Sequence, residues 1–581
     1  MRFPLAIEDH LYRGRAEGHA EDPHQESLDH NLAYYTLLAL GGLAMIIFAW
    51  ATYFRLVGYI RLVLSLNDER QCYFARPYRP LAKLRVHLID APLFSRRHNA
   101  ELRLSRAVNM GTLPSRFQTL LLLALISMNV VLCIVAIPFG TSTETLGSRM
   151  RHRFGTIATV NLVPLVLFSG RNNPLISLLS IPFDTFNLLH RWLARIVILE
   201  ALAHAFAWCI PKASEGWSGV GAALRESTFL RNGLIALCVF TGLLLHSPSL
   251  IRHAFYESFL HLHIAMVAVV FAYLWMHLRG RSAENYLLTA LILWAIERAI
   301  RVSRIVYRNW GLSLTTASIE ILPGDAMKVD LHIPQPWTFE PGQHIFLCIP
   351  AVGWWTFHPF SVCWGDVQQE GENLRRVTFS LLVRRRTGFT DTLFQRTLKA
   401  TDCRITLPAI VEGPYGGGIA TNTMESYGTV LLFSAGVGIS HQLPFIHRLV
   451  QGHVKGNVAV RRLILVWIVR KPEHLDWVRL WMAQILGIEK CREVLVIRIF
   501  ITVPCDIKEI RWLDGPSAAV VEILAGRPDV ALVVRKEASR QIGAMGVLVC
   551  GTGSLSDDVR SACRKVQSTS QVDYIEESFT W

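Results

Sequence analysis

Long apolar segments follow one another through the first 300 residues of this chain. A helix needs about 20 predominantly apolar residues to cross a bilayer. The third segment is short, so the pattern leaves a count of six or seven spans open, and we favour seven. Together the segments predict a polytopic α-helical membrane bundle; they are residues 32–54, 117–139, 154–169, 185–210, 230–246, 255–278 and 284–300.

After residue 310 the pattern changes to short segments of alternating polarity, separated by Pro and Gly turns. This alternation predicts a small antiparallel β-barrel at 310–418, with strands at Leu312–Ile321, Ala326–Ile333, His344–Ile349, Arg376–Val383 and Cys403–Ile410. From about residue 427, apolar strands alternate with helical patterns. That order predicts a parallel α/β domain at 425–581, with strands at Thr429–Ser434, Arg462–Ile468, Val494–Thr502 and Gly546–Cys550.

Charge suggests how the helices are oriented. The connection between the first two segments, Arg55–Arg116, carries 12 basic and 4 acidic residues in a chain of net charge +14. The positive-inside rule places this connection in the cytosol. Residues 1–30, which are polar and do not resemble a signal peptide, then form an extracytoplasmic tail, and residues from 302 onward are cytosolic. The connection either lies on anionic lipid or only fixes the topology.

The same composition limits the function classes. In a membrane protein a basic surplus is better explained by orientation than by a nucleic-acid surface, so we expect lipid contacts and no nucleic acid. The 11 cysteines contain no CxxC pair, so neither a disulfide framework nor a zinc site is indicated.

Four histidines in the apolar segments form two equally spaced pairs. His190 and His204 are 14 positions apart, and so are His263 and His277. On a helix, 14 residues turn through about 1,400°, roughly 40° short of four turns, and rise about 21 Å. Each pair therefore lies on one helix face. Two such helices side by side can hold two haems, because an electron-transfer haem takes two axial imidazoles.

The fourth and sixth segments must run in the same direction. We therefore expect His190 to pair with His263 near the cytosolic side, and His204 with His277 near the outer side. Packing without a ligand role is the alternative, and it explains one buried histidine better than two matched pairs. His261 points to another helix face and is not expected to be a ligand.

Three other residues of these segments leave two interpretations open. Glu200, one turn before His204, either tunes the outer haem or makes a polar contact between helices. Arg191 and Arg195 either meet the propionates of the inner haem or are charges at a helix end.

The cytosolic part contains several short motifs in a fixed order. They are Pro341–His344, the HPFS segment His358–Ser361, Glu412–Gly416, and the strand-to-helix loop Leu432–Ser440. In that loop, Gly436 and Gly438 let the backbone approach a pyrophosphate at a helix N-terminus. A glycine pair alone is weak evidence, since a plain turn also uses it.

These features resemble the fungal ferric reductase family, which belongs to a wider group that includes the NADPH oxidases. The resemblance runs from about residue 155 to the C-terminus. It rests on the HRW opening at His190, both histidine spacings, HPFS, the glycine loop, CGTG at Cys550–Gly553 and the ending EESFTW at Glu576–Trp581.

The resemblance implies a ferredoxin reductase-like cytosolic module beneath a haem-binding transmembrane domain at 155–302. Residues 31–154 would hold the first helices and the basic connection. Two b-type haems would be held by His190, His204, His263 and His277. FAD would be bound by His358, Pro359, Phe360 and Ser361, and NADPH by Gly436, Gly438, Ser440, Cys550, Gly551 and Gly553.

The same resemblance implies that Phe579, or else Trp581, covers the flavin until nicotinamide displaces it. Residues Arg384–Thr390 either approach a flavin phosphate or form a solvated basic turn. Arg470 and Lys471 either contact a nucleotide 2′-phosphate or form a surface charge pair, so the preference for NADPH comes mainly from the resemblance.

The implied enzyme is an NADPH-dependent ferric-chelate reductase. It would move electrons from cytosolic NADPH through FAD and two b-type haems to extracytoplasmic ferric or cupric ions for metal uptake. An NADPH oxidase that makes superoxide shares this core, and a non-enzymatic membrane scaffold or transporter with a degenerate reductase domain is the third hypothesis. Expected partners are ferric chelates, membrane lipid and downstream metal-uptake proteins. The plasma membrane is favoured, and a vacuolar protein would have the same pattern.

Overall fold

The computed structural model describes residues 23–66, 68–95, 97–101, 111–137, 143–214, 216–311, 313–370, 374–417, 423–506, 510, 512 and 520–576. The chain divides into two compact units. The helical unit comprises Met1–Ile47, Leu122–Asn173 and Thr185–Ala295. The sheet unit comprises Phe48–Leu121, Pro174–Asp184 and Ile296–Trp581.

Seven long helices correspond to the seven predicted apolar segments. They are α1 (Pro23–Ser65), α2 (Arg116–Ile134), α3 (Thr143–Ser169), α4 (Phe183–Ser214), α5 (Thr228–His246), α6 (Tyr256–Leu278) and α7 (Glu284–Asn309). Helix α1 begins at Pro23, within the residues that were expected to form a tail, and extends to Ser65, beyond the predicted end of the first span at residue 54. The core of the helical unit includes the buried side chains of Leu162, Val197, Phe240, Val270 and Leu287.

Five of the described helices are long and apolar enough to cross a membrane: α1 from Ser27, α2, α4, α5 and α6. The chain is therefore a membrane protein. Helices α3 and α7 are not among them, since polar residues such as Arg153 and Asn161 in α3, and Glu297 and Arg298 in α7, interrupt their apolar stretches. For these two helices the spanning role stays a prediction.

The first half of the sheet unit is an antiparallel sheet of seven strands. They are β1 (Thr316–Leu322), β2 (Ala326–His332), β3 (Gln343–Cys348), β4 (His358–Glu370), β5 (Leu374–Arg384), β6 (Arg404–Pro408) and β7 (Ile410–Gly416). Their order is β6-β1-β2-β5-β4-β3-β7. Alternate side chains such as Ile319, Val329 and Leu381 form its core, against which helix α8 (Phe389–Leu398) packs through Leu393.

The second half is a parallel sheet of six strands. They are β8 (Thr429–Ala435), β9 (Arg462–Val469), β10 (Leu495–Ile501), β11 (Val521–Ala525), β12 (Met545–Cys550) and β13 (Val572–Glu576). Their order is β11-β10-β9-β8-β12-β13, and every pair is parallel. Helices α9 (Ile439–Lys455) and α10 (Gly553–Val566) follow β8 and β12.

This architecture confirms the predicted fold class: a helical membrane region, an antiparallel sheet domain and a parallel α/β domain. Four strands were not predicted as such: β4, β7, β11 and β13. The remaining α-helices are short or peripheral, at Arg79–Leu84, Leu175–Leu179, Trp217–Glu226, Ser249–Ala254, Arg479–Leu486, Cys491–Val494 and Val530–Ser539.

Candidate redox sites

The four histidines of the apolar segments face each other in two pairs between α4 and α6. The ring centres of His190 and His263 are 6.5 Å apart, with the planes at 72°. Those of His204 and His277 are 6.2 Å apart, with the planes at 83°. The structure thus brings these residues together in the pairs that the parallel direction of the two helices requires.

This spacing fits a metal between each pair of rings. Metal–imidazole bonds are about 2.0–2.1 Å long, so two rings on opposite sides of one metal have centres roughly 6 Å apart. The arrangement is therefore suited to bis-imidazole ligation of a haem iron.

Hydrogen bonds orient three of the four rings. The Nδ1 atoms of His190, His204 and His277 donate to the carbonyl oxygens of Leu165, Arg151 and Phe229, at 2.9, 2.7 and 2.9 Å. A histidine that donates through Nδ1 keeps Nε2 free of a proton, and such second-shell bonds commonly hold a ligating ring in place.

The fourth ring, that of His263, is held differently. Its Nδ1 is buried without a hydrogen-bond partner among the described residues, and the ring lies 5.6 Å from that of Phe259. The neighbouring His261 is exposed, and its Nδ1 donates to the carbonyl of Glu257 at 2.8 Å, on its own helix. His261 is therefore not part of the paired set.

Two glycines that the sequence did not single out provide room for the second histidine pair. A Cβ on Gly155 would lie 2.8 Å from Nδ1 of His204, and a Cβ on Gly233 would lie 2.7 Å from Cε1 of His277. Any side chain at either position would therefore collide with the ring. The signal of this packing in the sequence is weak: Gly155 and Gly233 lie in helical segments of the same predicted bundle as the two histidines.

Glu200 makes a buried polar contact between helices. It accepts a hydrogen bond from Asn161 at 3.0 Å and a weaker one from the thiol of Cys133 at 3.8 Å. Arg191 donates to a carbonyl of its own helix, and Arg195 lies 5.0 Å over the ring of Trp192. Of the interpretations left open for Glu200, the described contacts match the polar link between helices.

The HPFS segment opens strand β4, at the edge it shares with β3. His358 pairs with Leu347 in this register, and Ser361 pairs with His344. The His358 ring stacks on Phe389 at the start of α8, with ring centres 4.3 Å apart and planes at 24°. The segment therefore presents aromatic faces beside a helix start, a suitable surface for a flavin.

One arginine of the basic turn between β5 and α8 already forms two ion pairs. The Arg385 guanidinium contacts Asp391 at 2.7 Å and Asp325 at 3.3 Å. The backbone N–H of Arg386 donates to Thr390 at 2.8 Å. Arg385 is thus committed to carboxylates, and the turn stays a candidate phosphate contact only through its other groups.

A network that was not predicted from the sequence supports strand β7, which pairs with β3 on the side away from HPFS. Arg301 of α7 is 2.7 Å from the fully buried carboxylate of Glu412, which also accepts the Tyr415 hydroxyl proton at 2.8 Å. The Tyr415 ring stacks on His344, 5.9 Å between centres. The end of α7 is thereby fixed to the antiparallel sheet within the sheet unit.

The two glycine segments of the parallel sheet meet at the carboxyl ends of β8 and β12. A Cβ on Gly438 would lie 2.3 Å from the carbonyl oxygen of Cys550, and one on Gly551 would lie 2.9 Å from the Cβ of Ala435. Gly436 has a positive φ of 55°, and the space beside it is open. An open, glycine-lined turn at a helix N-terminus fits a pyrophosphate.

Ser440, at the start of α9, is buried beside this turn. The next residue, His441, was not singled out from the sequence. It is fully enclosed, its ring nitrogens have no hydrogen-bond partner among the described residues, and burial lowers its pKa from 6.5 to about 4. An uncharged histidine therefore lies directly after the glycine turn, within the first turn of α9.

Arg470 and Lys471 follow β9 and are exposed at the carboxyl end of the sheet, and Lys471 is 3.3 Å from Glu473.

Gly553 packs against a different part of the chain from Gly438 and Gly551. A Cβ on Gly553 would lie 2.1 Å from the carbonyl oxygen of Asn99. Phe579 and Trp581, proposed from the sequence to cover a flavin, lie outside the described residues.

Comparison with protein families gives three matches in chain order. Residues 154–274 match the model described as "ferric reductase like transmembrane component". Residues 312–418 match an FAD-binding domain, and residues 427–564 match a "ferric reductase NAD binding domain". The cofactor-binding half of the chain therefore has an FAD domain followed by a nicotinamide-nucleotide domain.

Similar proteins cover most of the chain. The "ferric/cupric reductase transmembrane component 2" of Saccharomyces cerevisiae is 25% identical over 85% of this chain and 71% of its own length. The "ferric reductase transmembrane component 3" of the same yeast is 25% identical over 81% of this chain and 68% of its own length. Among solved structures, the cytochrome P450 reductase GcoB of Amycolatopsis matches 45% of this chain and 69% of its own, at 18% identity and a TM-score of 0.32.

Proposed function

Because the chain belongs to the fungal ferric reductase family, we propose that it is an NADPH-dependent ferric-chelate reductase with FAD and two b-type haems. Its acceptors are extracytoplasmic ferric or cupric ions, as the names of its yeast relatives suggest. The observation that carries the proposal is the pair of facing histidine couples on α4 and α6.

When bound, the FAD accepts a hydride and the haems carry single electrons, which is chemistry that the protein itself cannot supply. The task of the chain is to hold these groups in place. His190 and His263 would ligate one haem and His204 and His277 the other. The backbone carbonyls that accept from Nδ1 keep three of these rings in the tautomer that offers Nε2 to iron.

In the sheet unit, His358, Pro359, Phe360 and Ser361 would bind the flavin. Strand pairing with β3 fixes the backbone of this segment, and Phe389 fixes the ring of His358. The aromatic faces suit an apolar ring system, and the half-buried start of β4 carries the hydroxyl of Ser361 for its polar edge.

Gly436, Gly438 and Ser440 would bind the nucleotide from β8, and Cys550, Gly551 and Gly553 from β12. Support comes from the contact between the two loops at the carboxyl edge of the sheet, where ligands of parallel sheets bind. Arg470 and Lys471 stand at the end of the adjacent strand, where a 2′-phosphate would distinguish NADPH from NADH. Phe579 is proposed to cover the flavin.

We further propose a plasma-membrane location, with the N-terminus outside and both sheet domains in the cytosol. Five helices of spanning length and the basic connection after α1 support this orientation. Reduced metal ions released outside would be taken up by separate metal-uptake proteins.

The test is a haem-to-protein ratio on the purified full-length protein, followed by NADPH-driven reduction of a ferric chelate without oxygen. We expect about two low-spin haems per chain, FAD, chelate reduction under nitrogen and a preference for NADPH over NADH. Folded protein that contains no haem would overturn the mechanism. Reduction that occurs only in air would instead indicate that oxygen is the acceptor.

A further inference from the structure

We propose that the connection between α1 and α2 is a strap that positions the nicotinamide end of the nucleotide site for hydride transfer. We define the strap as the last turn of α1 and the connection that follows it, residues 61–100, of which the structure describes 61–66, 68–95 and 97–100. The inference rests on the proposed function and adds to it a set of positioning residues more than 350 positions away in sequence from the groups they contact.

The strap begins at the amino ends of the parallel strands. Gln71 is buried, and its amide donates to the carbonyl of Ala459, just before β9, at 2.6 Å. A Cβ on Gly428, just before β8, would lie 1.9 Å from Oε1 of Gln71. The carbonyl of Ala75 accepts the backbone N–H of Gln571, just before β13, at 2.9 Å.

Two arginines of the strap, one at its start and one near its middle, contact a buried carboxylate on the edge strand β13. Asp573 contacts both Arg61, at 3.5 Å, and Arg85. Burial alone would raise the pKa of Asp573, but the two guanidinium groups lower it. Arg61 also lies 4.0 Å over the ring of Tyr427. Since Arg61 and Arg85 are committed to this carboxylate, they are not free to bind anionic lipid.

The strap ends at the carboxyl edge of the sheet, where the nucleotide site lies. The carboxylate of Asp557, in the first turns of α10, accepts backbone N–H groups from His98, Asn99 and Ala100 at 3.1, 2.9 and 3.0 Å. The Asn99 carbonyl meets the backbone of Gly553 so closely that no Cβ fits there.

A second bond at this end reaches the last described strand. The side-chain amide of Asn99 donates to Glu576, which also pairs with Arg560 of α10. Glu576 ends β13, and the proposed flavin cover, Phe579, follows it by three positions. Asn99 thus contacts both the CGTG segment and the last residue of β13.

These contacts lead to a specific kinetic expectation. At the carboxyl edge the strap contacts the start of α10, which directly follows β12, and the end of β13. Arg470, the proposed 2′-phosphate contact, follows β9, two strands away from β12, which leaves the β12 side for the nicotinamide. A looser strap should therefore impair hydride transfer more than nucleotide binding. Misplacement by about 1 Å costs up to about 100-fold in rate.

The test compares Asp557→Asn with Asp558→Asn in the full-length protein. The two residues are neighbours on α10, but Asp557 is buried under the strap and Asp558 is exposed. An amide offers one oxygen where the carboxylate offers two, and it places an NH₂ group against backbone N–H groups. Stopped-flow mixing with NADPH gives the limiting rate of flavin reduction and the apparent Kd.

For Asp557→Asn we expect a limiting rate about tenfold lower, an apparent Kd within about twofold of wild type, and unchanged FAD and haem content. Asp558→Asn should behave as wild type. Equal rates in the two variants would overturn the proposal. A rise in Kd without a change in rate would also overturn it, because the strap would then serve binding alone.

A second experiment applies if Asp557→Asn loses FAD. Asn99→Ala, Glu576→Gln and the double variant form a cycle on the limiting rate. We expect the double variant to be no slower than the slower single variant, because both changes break the same link. Fully additive losses would refute that link. Wild-type protein that NADPH does not reduce would reject the proposed function itself rather than the strap.

Discussion

The rings of His204 and His277 face each other with centres 6.2 Å apart, and each ring is backed by a glycine of a neighbouring helix. The two histidines are on α4 and α6, and the glycines are Gly155 of α3 and Gly233 of α5. Four helices therefore determine the position of one pair of imidazoles. A haem site built in this way should be sensitive both to its ligands and to the space behind them.

Replacing a ligand should remove one haem and leave the other. His204→Ala should lower the haem content from about two per chain to about one, because an iron with a single imidazole from His277 is weakly held. The dithionite-reduced difference spectrum per protein measures this loss. His261→Ala, on the same helix as His277 but outside both pairs, serves as the control and should retain both haems. Full haem content in His204→Ala would contradict the assignment.

Adding a methyl group behind the His204 ring should weaken haem binding at this site less than removing the histidine does. A methyl group at Gly155 would lie 2.8 Å from Nδ1 of His204 and would disturb its bond to the Arg151 carbonyl. Overpacking of this kind costs about 1–3 kcal/mol, so Gly155→Ala should reduce haem affinity at this site about tenfold. Titration of the haem-depleted protein with haem measures that affinity.

Gly242→Ala is the matched control for this substitution. Its Cβ would meet only the terminal methyl of Met266, at 2.8 Å, and a methionine end can move aside. If Gly155→Ala and Gly242→Ala bind haem equally well, the glycine behind His204 has no special role.

The helices and the order of the domains could be predicted from the sequence because the apolar segments are long and the polarity patterns are periodic. Seven apolar segments and a matched histidine spacing predict helices and faces directly, and the pairing of His190 with His263 follows from chain direction alone. Strands β4 and β13 were missed. Strand β4 carries polar residues such as Asp366 and Gln368, and β13 is only five residues long.

Contacts between distant parts of the chain were beyond sequence reasoning for a different reason. The basic connection was expected to lie on lipid or only to fix topology, yet Arg61 and Arg85 are buried against Asp573. Nothing local in the sequence pairs these residues, since their partner is about 500 positions away and on an edge strand that was not predicted. The same holds for Asn99 and Gly553, which meet only because two loops converge.

The nucleotide loop should tolerate no side chain at Gly438. A Cβ there would lie 2.3 Å from the Cys550 carbonyl oxygen, which is backbone and cannot move aside without shifting β12. Gly438→Ala should therefore lower kcat/KM for NADPH by at least about tenfold, which corresponds to about 1.4 kcal/mol, while haem content stays at the wild-type level. Steady-state chelate reduction without oxygen measures the effect.

Gly487→Ala provides the comparison within the same domain. Its Cβ would find no atom nearer than 3.4 Å, so the substitution should leave kcat/KM unchanged. A Gly438→Ala protein with wild-type kcat/KM would show that β8 and β12 do not form the nucleotide site together.

His441 should make the sheet unit sensitive to acid. Burial lowers its pKa from 6.5 to about 4, so between these values the unfolded chain binds a proton that the folded chain excludes. Its contribution to stability is therefore complete above pH 6.5 and is lost as the pH falls toward 4. Because one pKa unit corresponds to about 1.4 kcal/mol, the full effect is about 3 kcal/mol.

Replacing this histidine by phenylalanine removes the titrating group and keeps an aromatic ring beside Phe445, whose centre is 5.3 Å from that of His441. Thermal unfolding of wild type and His441→Phe, followed by FAD release at pH 7 and pH 5, tests the effect. The wild-type midpoint should fall more between these pH values than that of the variant. Other histidines of the sheet unit whose pKa is lowered by burial, His98, His447 and His474, act in the same direction and remain in both proteins. Parallel declines in the two proteins would assign the acid sensitivity to those residues and not to His441.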